Sequence, residues 1–283
     1  MAELEVADRI ATAGTQLTVA ERRVAQAVLE HPNLVAFGTV ADLAAQAGAG
    51  AATVVRLASK LGFDGFTALQ SSVQDDLARQ LRPAVERIRE LADRPRVERH
   101  RANAVANVTE TMDKLNRDAF DAVIAVLGDP QQGVLVLAGE AEHGVAQQFV
   151  HDLGALRDGV STVAGNDVAV RRQLALSPPR STLVVIDLRR YERWLLDAVT
   201  FASDAGHTII ALTDGPLSPL ANQARYAFTL AARSDSPFDS HIGTLTLLEL
   251  IVAAVAERLR TSATSRLELV EAAWAAARAL TDG

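Results

Sequence analysis

The chain has 283 residues, 49% of them apolar and 22% charged, with a formal net charge of −7 and no cysteine. That length suits two ordinary domains with a sizeable core, and the lack of cysteine excludes disulfides, thiolate catalysis, Cys-ligated zinc and iron–sulfur clusters. The acidic balance excludes polyanion binding driven by overall charge, yet the segment charges of −3 (1–80), +3 (81–117) and −7 (118–283) leave room for a local contact.

No apolar run reaches the roughly 18 residues that span a bilayer, and the start MAELEVADRI lacks a basic-then-apolar secretion pattern, so a cytoplasmic protein is expected. Residues 1–80 read as short helices. Thr18 and Glu21 have capping-box spacing, and the helix they open, with Val24 and Val28 on one face, is predicted to end near His31 and Pro32. Thr39 is a second candidate N-cap, with Asp42 three residues on, and Gly48 stops the helix that follows. A third helix is predicted over Ala51 to Leu61, closed by Gly62, and a fourth to about Arg79.

The segment VADLAAQAGAGAATVVRLASKLG, from Val40, has the form of a helix-turn-helix. Ala44 is the small residue where two helices cross, Gly48 tolerates the left-handed backbone of the turn, and Val54 and Leu57 anchor the second helix. On a 100° wheel Val54, Leu57, Ala58 and Leu61 share one side, and Ala52, Thr53, Arg56, Ser59 and Lys60 lie opposite. Two cations, two hydroxyls and no carboxylate suit a helix entering a DNA major groove. Arg56 is the candidate reader of a guanine edge, Thr53 of a base or phosphate, and Lys60 of a phosphate. The competing reading is a solvated face that happens to be basic.

Residues 81–117, rich in arginine and interrupted by Pro83 and Pro95, are predicted to be a linker and a solvated connecting helix. Over 118–283 the pattern becomes short apolar runs separated by helix-length segments: Gly133 to Leu137, Val160 to Val163, Thr182 to Ile186, Thr208 to Leu212 and Tyr226 to Leu230. This alternation predicts a parallel sheet covered on both faces. A long apolar segment, Ile242 to Leu259, and a helix over Leu267 to Leu280 supply packing surface or a dimer interface. The predicted class is therefore α/β multidomain: an all-α helix-turn-helix domain (1–80), a connector (81–117) and a parallel-sheet α/β sandwich (118–283).

LTVAERRVAQAVLEHPNLVAF and TVADLAAQAGAGAATVVRLASKLGFDGFTALQ resemble the N-terminal domain of the RpiR family of bacterial transcriptional regulators, most specifically in ATVVR and KLGFDGF. Gly50 and Ala51 stand where that family usually has Ser and Glu. The resemblance implies a C-terminal sugar isomerase (SIS) domain, and TDGPLSPLA, beginning at Thr213, is similar to one. It further implies a DNA-binding regulator of a carbohydrate or related catabolic operon, working as a homodimer or higher homo-oligomer on a double-stranded operator, with no membrane partner.

In SIS relatives a GxGxSG loop after the first strand and an SxSGET loop after a later one cradle a sugar phosphate. Here the first loop reads GEAEHG, keeping Gly139 and Gly144 and placing His143 at the serine position. The second reads DLRRYE, with Asp187, Arg189 and Glu192 where relatives have Ser, Ser and Thr. These six residues and Thr213 are the candidate effector site. Three readings stay open: a changed effector held by His143, Arg189 or Arg190; a dimerisation domain without effector; or a sugar-phosphate site with rearranged donors. An isomerase-like enzyme is the alternative function, disfavoured because the phosphate grip is gone. His143, His151 and Asp152 are too loosely spaced for a metal site, and Tyr191 and Trp194 suit packing as well as a ligand pocket. His241 fits a cap or an interface. No catalytic residue, metal or cofactor is expected.

Overall fold

A computed structural model describes residues 6–13, 17–81, 84–89, 96–216 and 218–279. The chain forms two compact units, 1–89 and 90–283. Part of the expected linker, including Pro83 and Pro95, lies outside the described residues, as does Leu280.

The first unit is helical: α1 (Val6–Ala13), α2 (Val19–Glu30), α3 (Pro32–Phe37), α4 (Val40–Gln46), α5 (Ala51–Lys60), α6 (Gly65–Leu81) and α7 (Ala84–Arg89). Both predicted caps are full capping boxes. The Thr18 hydroxyl accepts from the Glu21 amide while the Glu21 carboxylate accepts from Thr18, and Thr39 and Asp42 repeat the exchange. Helix α3 was not expected. Pro32, read as a stop signal, instead occupies its first position, where the missing N–H costs nothing. Val24, Val28, Leu43, Val54, Leu57 and Leu69 form the centre of the unit's core.

The second unit begins with α8 (Arg96–Asp113) and α9 (Arg117–Leu127). The five strands follow as β1 (Val134–Ala138), β2 (Val160–Thr162), β3 (Thr182–Ile186), β4 (Thr208–Thr213) and β5 (Tyr226–Thr229). Between them lie α10 (His143–Leu156), α11 (Asp167–Leu176) and α12 (Arg193–Asp204), and after them α13 (Ile242–Arg258) and α14 (Arg260–Ala277). The sheet is parallel throughout, in the order β2-β1-β3-β4-β5. Alternate residues of its central strands serve two cores. Val134, Val136, Val184 and Ile186 face α9, α10 and α13, whereas Leu135, Leu137, Leu183 and Val185 face α11 and α12. That explains the near-continuous apolar runs.

Helix α8, read from sequence as a solvated connector, is fixed to this unit at two buried polar residues. Asn107 donates to the Arg233 carbonyl and accepts from the Arg233 amide, and the Thr111 hydroxyl accepts from the Ala231 amide. Helix α13 uses its apolar surplus internally, burying Leu247, Leu248, Ile251 and Val255. Exposed apolar side chains lie instead on α8, at Val97, Val105 and Val108, and on α14, where Ala263 is the buried residue. Leu267, Leu269 and Trp274 are 40%, 73% and 42% exposed.

Candidate functional site

Two places in the chain carry chemistry. In the first unit, α4 ends at Ala47 and the backbone turns through Gly48 at φ +57°, a conformation that L side chains rarely adopt. Gly50, extended, then caps α5 without a side-chain bond, as expected where the serine of relatives is lost. Ala44 and Ala47 are buried at the crossing. Beyond the turn, α5 presents Ala52, Arg56, Ser59 and Lys60 to solvent, together with Val55.

Two of the five expected outward residues behave differently from the wheel. Thr53 is 7% exposed, because α2, α4 and α6 pack around the short α5 and bury an arc wider than half the helix. Its hydroxyl accepts a 3.0 Å bond from Arg56 Nη2, so Thr53 supports the arginine from behind. Lys60 Nζ lies 2.7 Å from the Glu21 carboxylate of α2, a pairing that holds Glu21 down at about 2. Part of its charge is therefore matched within the domain. Ser59 donates to the Val55 carbonyl one turn back.

In the second unit, chain connections leave β1 and β3 in opposite directions along the sheet. The carboxyl ends of these two strands thus form the topological switch point, where open α/β sheets hold their ligands. Three carboxyl groups converge there on Gly139. A Cβ at that position would meet Glu142 Oε2 at 2.6 Å, Asp187 Oδ1 at 2.9 Å and Glu192 Oε1 at 3.2 Å. Glu192 accepts from the Glu140 amide at 2.5 Å and from the Trp194 indole. Asp187 in turn accepts from the Glu192 amide at 3.1 Å. Glu142 and Glu192 are the N-cap residues of α10 and α12, positions that favour negative charge.

Burial shifts Glu142 and Asp187. Glu142 and Asp187 are each 2% exposed. Burial, reinforced by the neighbouring Asp187 charge, raises Glu142 to about 8. Burial raises Asp187 to about 7 against the opposing effect of its hydrogen bond from Glu192. Tyr191 is pushed up by burial and by Asp214, to which its hydroxyl donates at 2.5 Å. His241, at the start of α13, is pushed down by burial.

Of the expected effector residues, Gly139, Asp187 and Glu192 come together. Arg189 turns to Asp239, 3.4 Å away, and to Asp214 at 3.9 Å. It and Arg190 both have positive φ, an uncommon and strained conformation for non-glycine residues. Thr213 is buried and donates to Ser218 Oγ at 2.8 Å. His143 and Gly144 are exposed on the first turn of α10, outside the hydrogen bonds that link the carboxyl groups. Glu142, Tyr191 and Asp214 were absent from the expected set; the acidic GEAE run was the signal for the first, and the TDGPLSPLA motif, of which only Thr213 was taken, was the signal for Asp214. Among the described residues no cluster could hold a metal ion, and no helix is long and apolar enough to cross a membrane.

Comparison with known proteins adds two family matches. A helix-turn-helix domain model of the rpiR family matches residues 4–80, and a SIS domain model matches residues 130–254. A Haemophilus influenzae protein named as an uncharacterized HTH-type transcriptional regulator is 26% identical over 262 residues, covering 89% of this chain and 90% of that one. The HTH-type transcriptional regulator HexR of Pseudomonas aeruginosa is 25% identical, covering 86% of each. Among solved structures, the sugar isomerase domain of an RpiR transcription factor from Sphaerobacter thermophilus superimposes with a TM-score of 0.56 at 25% identity. That match covers 61% of this chain and 96% of that one.

Proposed function

We infer that this chain, a DNA-binding transcriptional regulator that belongs to the RpiR family, reads its operator with α5 and controls a carbohydrate or related catabolic operon. The observation that carries the reading is the exposed face of α5, where Arg56 and Lys60 follow the tight turn at Gly48 and no carboxylate intervenes. Base readout falls to Ala52, Arg56 and Ser59, Thr53 acts by orienting Arg56, and Lys60 contributes a phosphate contact beside its internal ion pair. Arg56→Ala is expected to weaken operator binding by about 1–3 kcal/mol, roughly 5- to 150-fold. Gel-shift titration on fragments selected from genomic DNA measures this, and unchanged affinity would remove Arg56 from the interface.

One α5 reads few base pairs, so a palindromic site and a dimer are proposed. The exposed residues of α14 support a homodimer seam. Leu267, Val270, Trp274 and Ala277 repeat at intervals of three and four, the spacing of a helix-pairing stripe. Leu267→Asp combined with Trp274→Ala in the full chain is expected to shift sedimentation at micromolar concentration from dimer to monomer. A variant that stays dimeric while folded places the seam elsewhere.

The C-terminal domain is proposed to sense rather than catalyse. The three carboxyl groups meet one another and the backbone at the switch point, leaving no phosphate grip through which an isomerase base would act.

A further inference from the structure

The second unit holds another cleft, lined by none of Glu142, Asp187 or Glu192. It lies between the first two turns of α8 and the loop 233–241 joining β5 to α13, and its volume is about 1050 Å³. One wall carries Arg96, Arg99, His100 and Arg101. The opposite wall carries Asp235 and Asp239 among serines.

The position of these cations is unfavourable for the helix itself. Arginines at a helix N-terminus oppose the macrodipole, and like charges three apart, as at Arg96 and Arg99, repel, each effect costing some tenths of a kcal/mol to about 1 kcal/mol. Glu98 is the sole acid in that first turn. Such a placement makes sense where an anion offsets it. Arg99 is held by Asp235 at 2.6 Å, whereas Arg96, His100 and Arg101 are exposed. The facing loop is already shaped. Ser236 Oγ accepts from the Ser234 hydroxyl and the Phe238 amide and donates to the Phe238 carbonyl, which fixes the wall before any ligand arrives.

Charge and hydrogen bonding narrow the ligand class. Among the described residues, three guanidinium groups against two carboxylates leave the cleft at +1, which matches one negative charge better than a phosphate dianion. Asp235 Oδ2 is buried without a hydrogen-bond partner among the described residues, so a ligand that donates a hydrogen bond there completes the site. The volume exceeds the need of a bare ion and suits a metabolite of several functional groups.

We propose that this cleft binds a small polyhydroxy monocarboxylate, its carboxylate on Arg96 and Arg101 and a hydroxyl on Asp235, and that this is the regulator's effector site. Asp239, which lines the cleft, also meets Arg189 of the loop after β3, so occupancy is felt at the switch point. The word effector rests on the regulator reading; the binding does not.

Calorimetry on the full chain with D-gluconate, D-galactonate and L-lactate, with glucose 6-phosphate as the dianionic contrast, tests the proposal. At least one sugar acid is expected to bind at ~100 µM or tighter, with glucose 6-phosphate about tenfold weaker. Arg101→Glu and Arg96→Glu, both at exposed positions, should each weaken the sugar acid about tenfold with the melting temperature unchanged. Binding weaker than ~1 mM for every sugar acid, indifference to both arginine variants, or a preference for glucose 6-phosphate that Arg101→Glu abolishes would each overturn it. Loss of operator binding in Arg101→Glu with no sugar acid bound would assign the arginines to DNA and overturn it too. A sugar acid that binds a chain with no DNA affinity leaves this site standing and removes the regulator reading alone.

Discussion

Raising the pH from 6 to 9 is expected to destabilise the C-terminal unit, and Glu142→Gln should remove most of that loss. Glu142 and Asp187 ordinarily titrate near 4.5 and 3.8, and in the folded protein they are raised to about 8 and 7. Between those limits the folded state binds more protons than the unfolded one, so stability falls as pH rises. The loss starts near the unfolded values and is complete above about pH 8. For two neighbouring buried groups the total is on the order of 5 kcal/mol, a drop of roughly 10–20 °C in melting temperature for a unit of this size. Melting followed by circular dichroism from pH 5 to 9 measures it. Wild type should descend across the range, Glu142→Gln and Asp187→Asn should flatten the curve, and at pH 9 each variant should outlast wild type. A flat wild-type curve would mean that the two carboxyls ionise without penalty, contrary to their burial.

Much of the architecture could be read from sequence because the deciding signals are local. Capping boxes at Thr18 and Thr39, Gly48 at the turn and the five apolar runs each depend on residues a few positions apart. The departures share one cause, namely contacts between distant segments. Thr53 sits about a quarter-turn from the centre of the apolar face of α5, and the packing of three neighbouring helices decided its burial. Lys60 meets Glu21 across 39 residues. The density of Ile242 to Leu259 suggested an interface, yet apolar composition alone does not distinguish a face covered by α9 and α10 from one covered by another chain. At the switch point, the resemblance to SIS loops located Asp187 and Glu192, but only the sheet order brings them to Glu142.

That convergence leads to the second large effect, on ligand choice. Glucose 6-phosphate and ribose 5-phosphate are expected to bind wild type with millimolar or weaker affinity at pH 8, whereas Asp187→Ser combined with Glu192→Ser should bind at least one of them ten- to a hundredfold more tightly. A phosphate at this switch point needs backbone donors and helix N-termini. Glu192 already takes the Glu140 amide and the Trp194 indole, and the Glu192 amide is taken by Asp187. The protein's own carboxyl groups thus use donors that a bound phosphate would require. At pH 8, above the Asp187 value of about 7, an incoming dianion also meets ionised carboxylate. Each pair of unit charges about 5 Å apart costs roughly 3 kcal/mol at an effective dielectric near 20. Arg189 does not compensate, being directed to Asp214 and Asp239. Serine at 187 and 192 removes the charge, frees the Glu140 amide and adds two hydroxyl donors. Calorimetry of both proteins, repeated with Arg101→Glu to silence the arginine cleft, separates the two sites. Micromolar binding of either phosphate to wild type that survives Arg101→Glu would mean that the carboxyl groups move aside for it, and the closed arrangement around Gly139 would then be one of two states of the crevice.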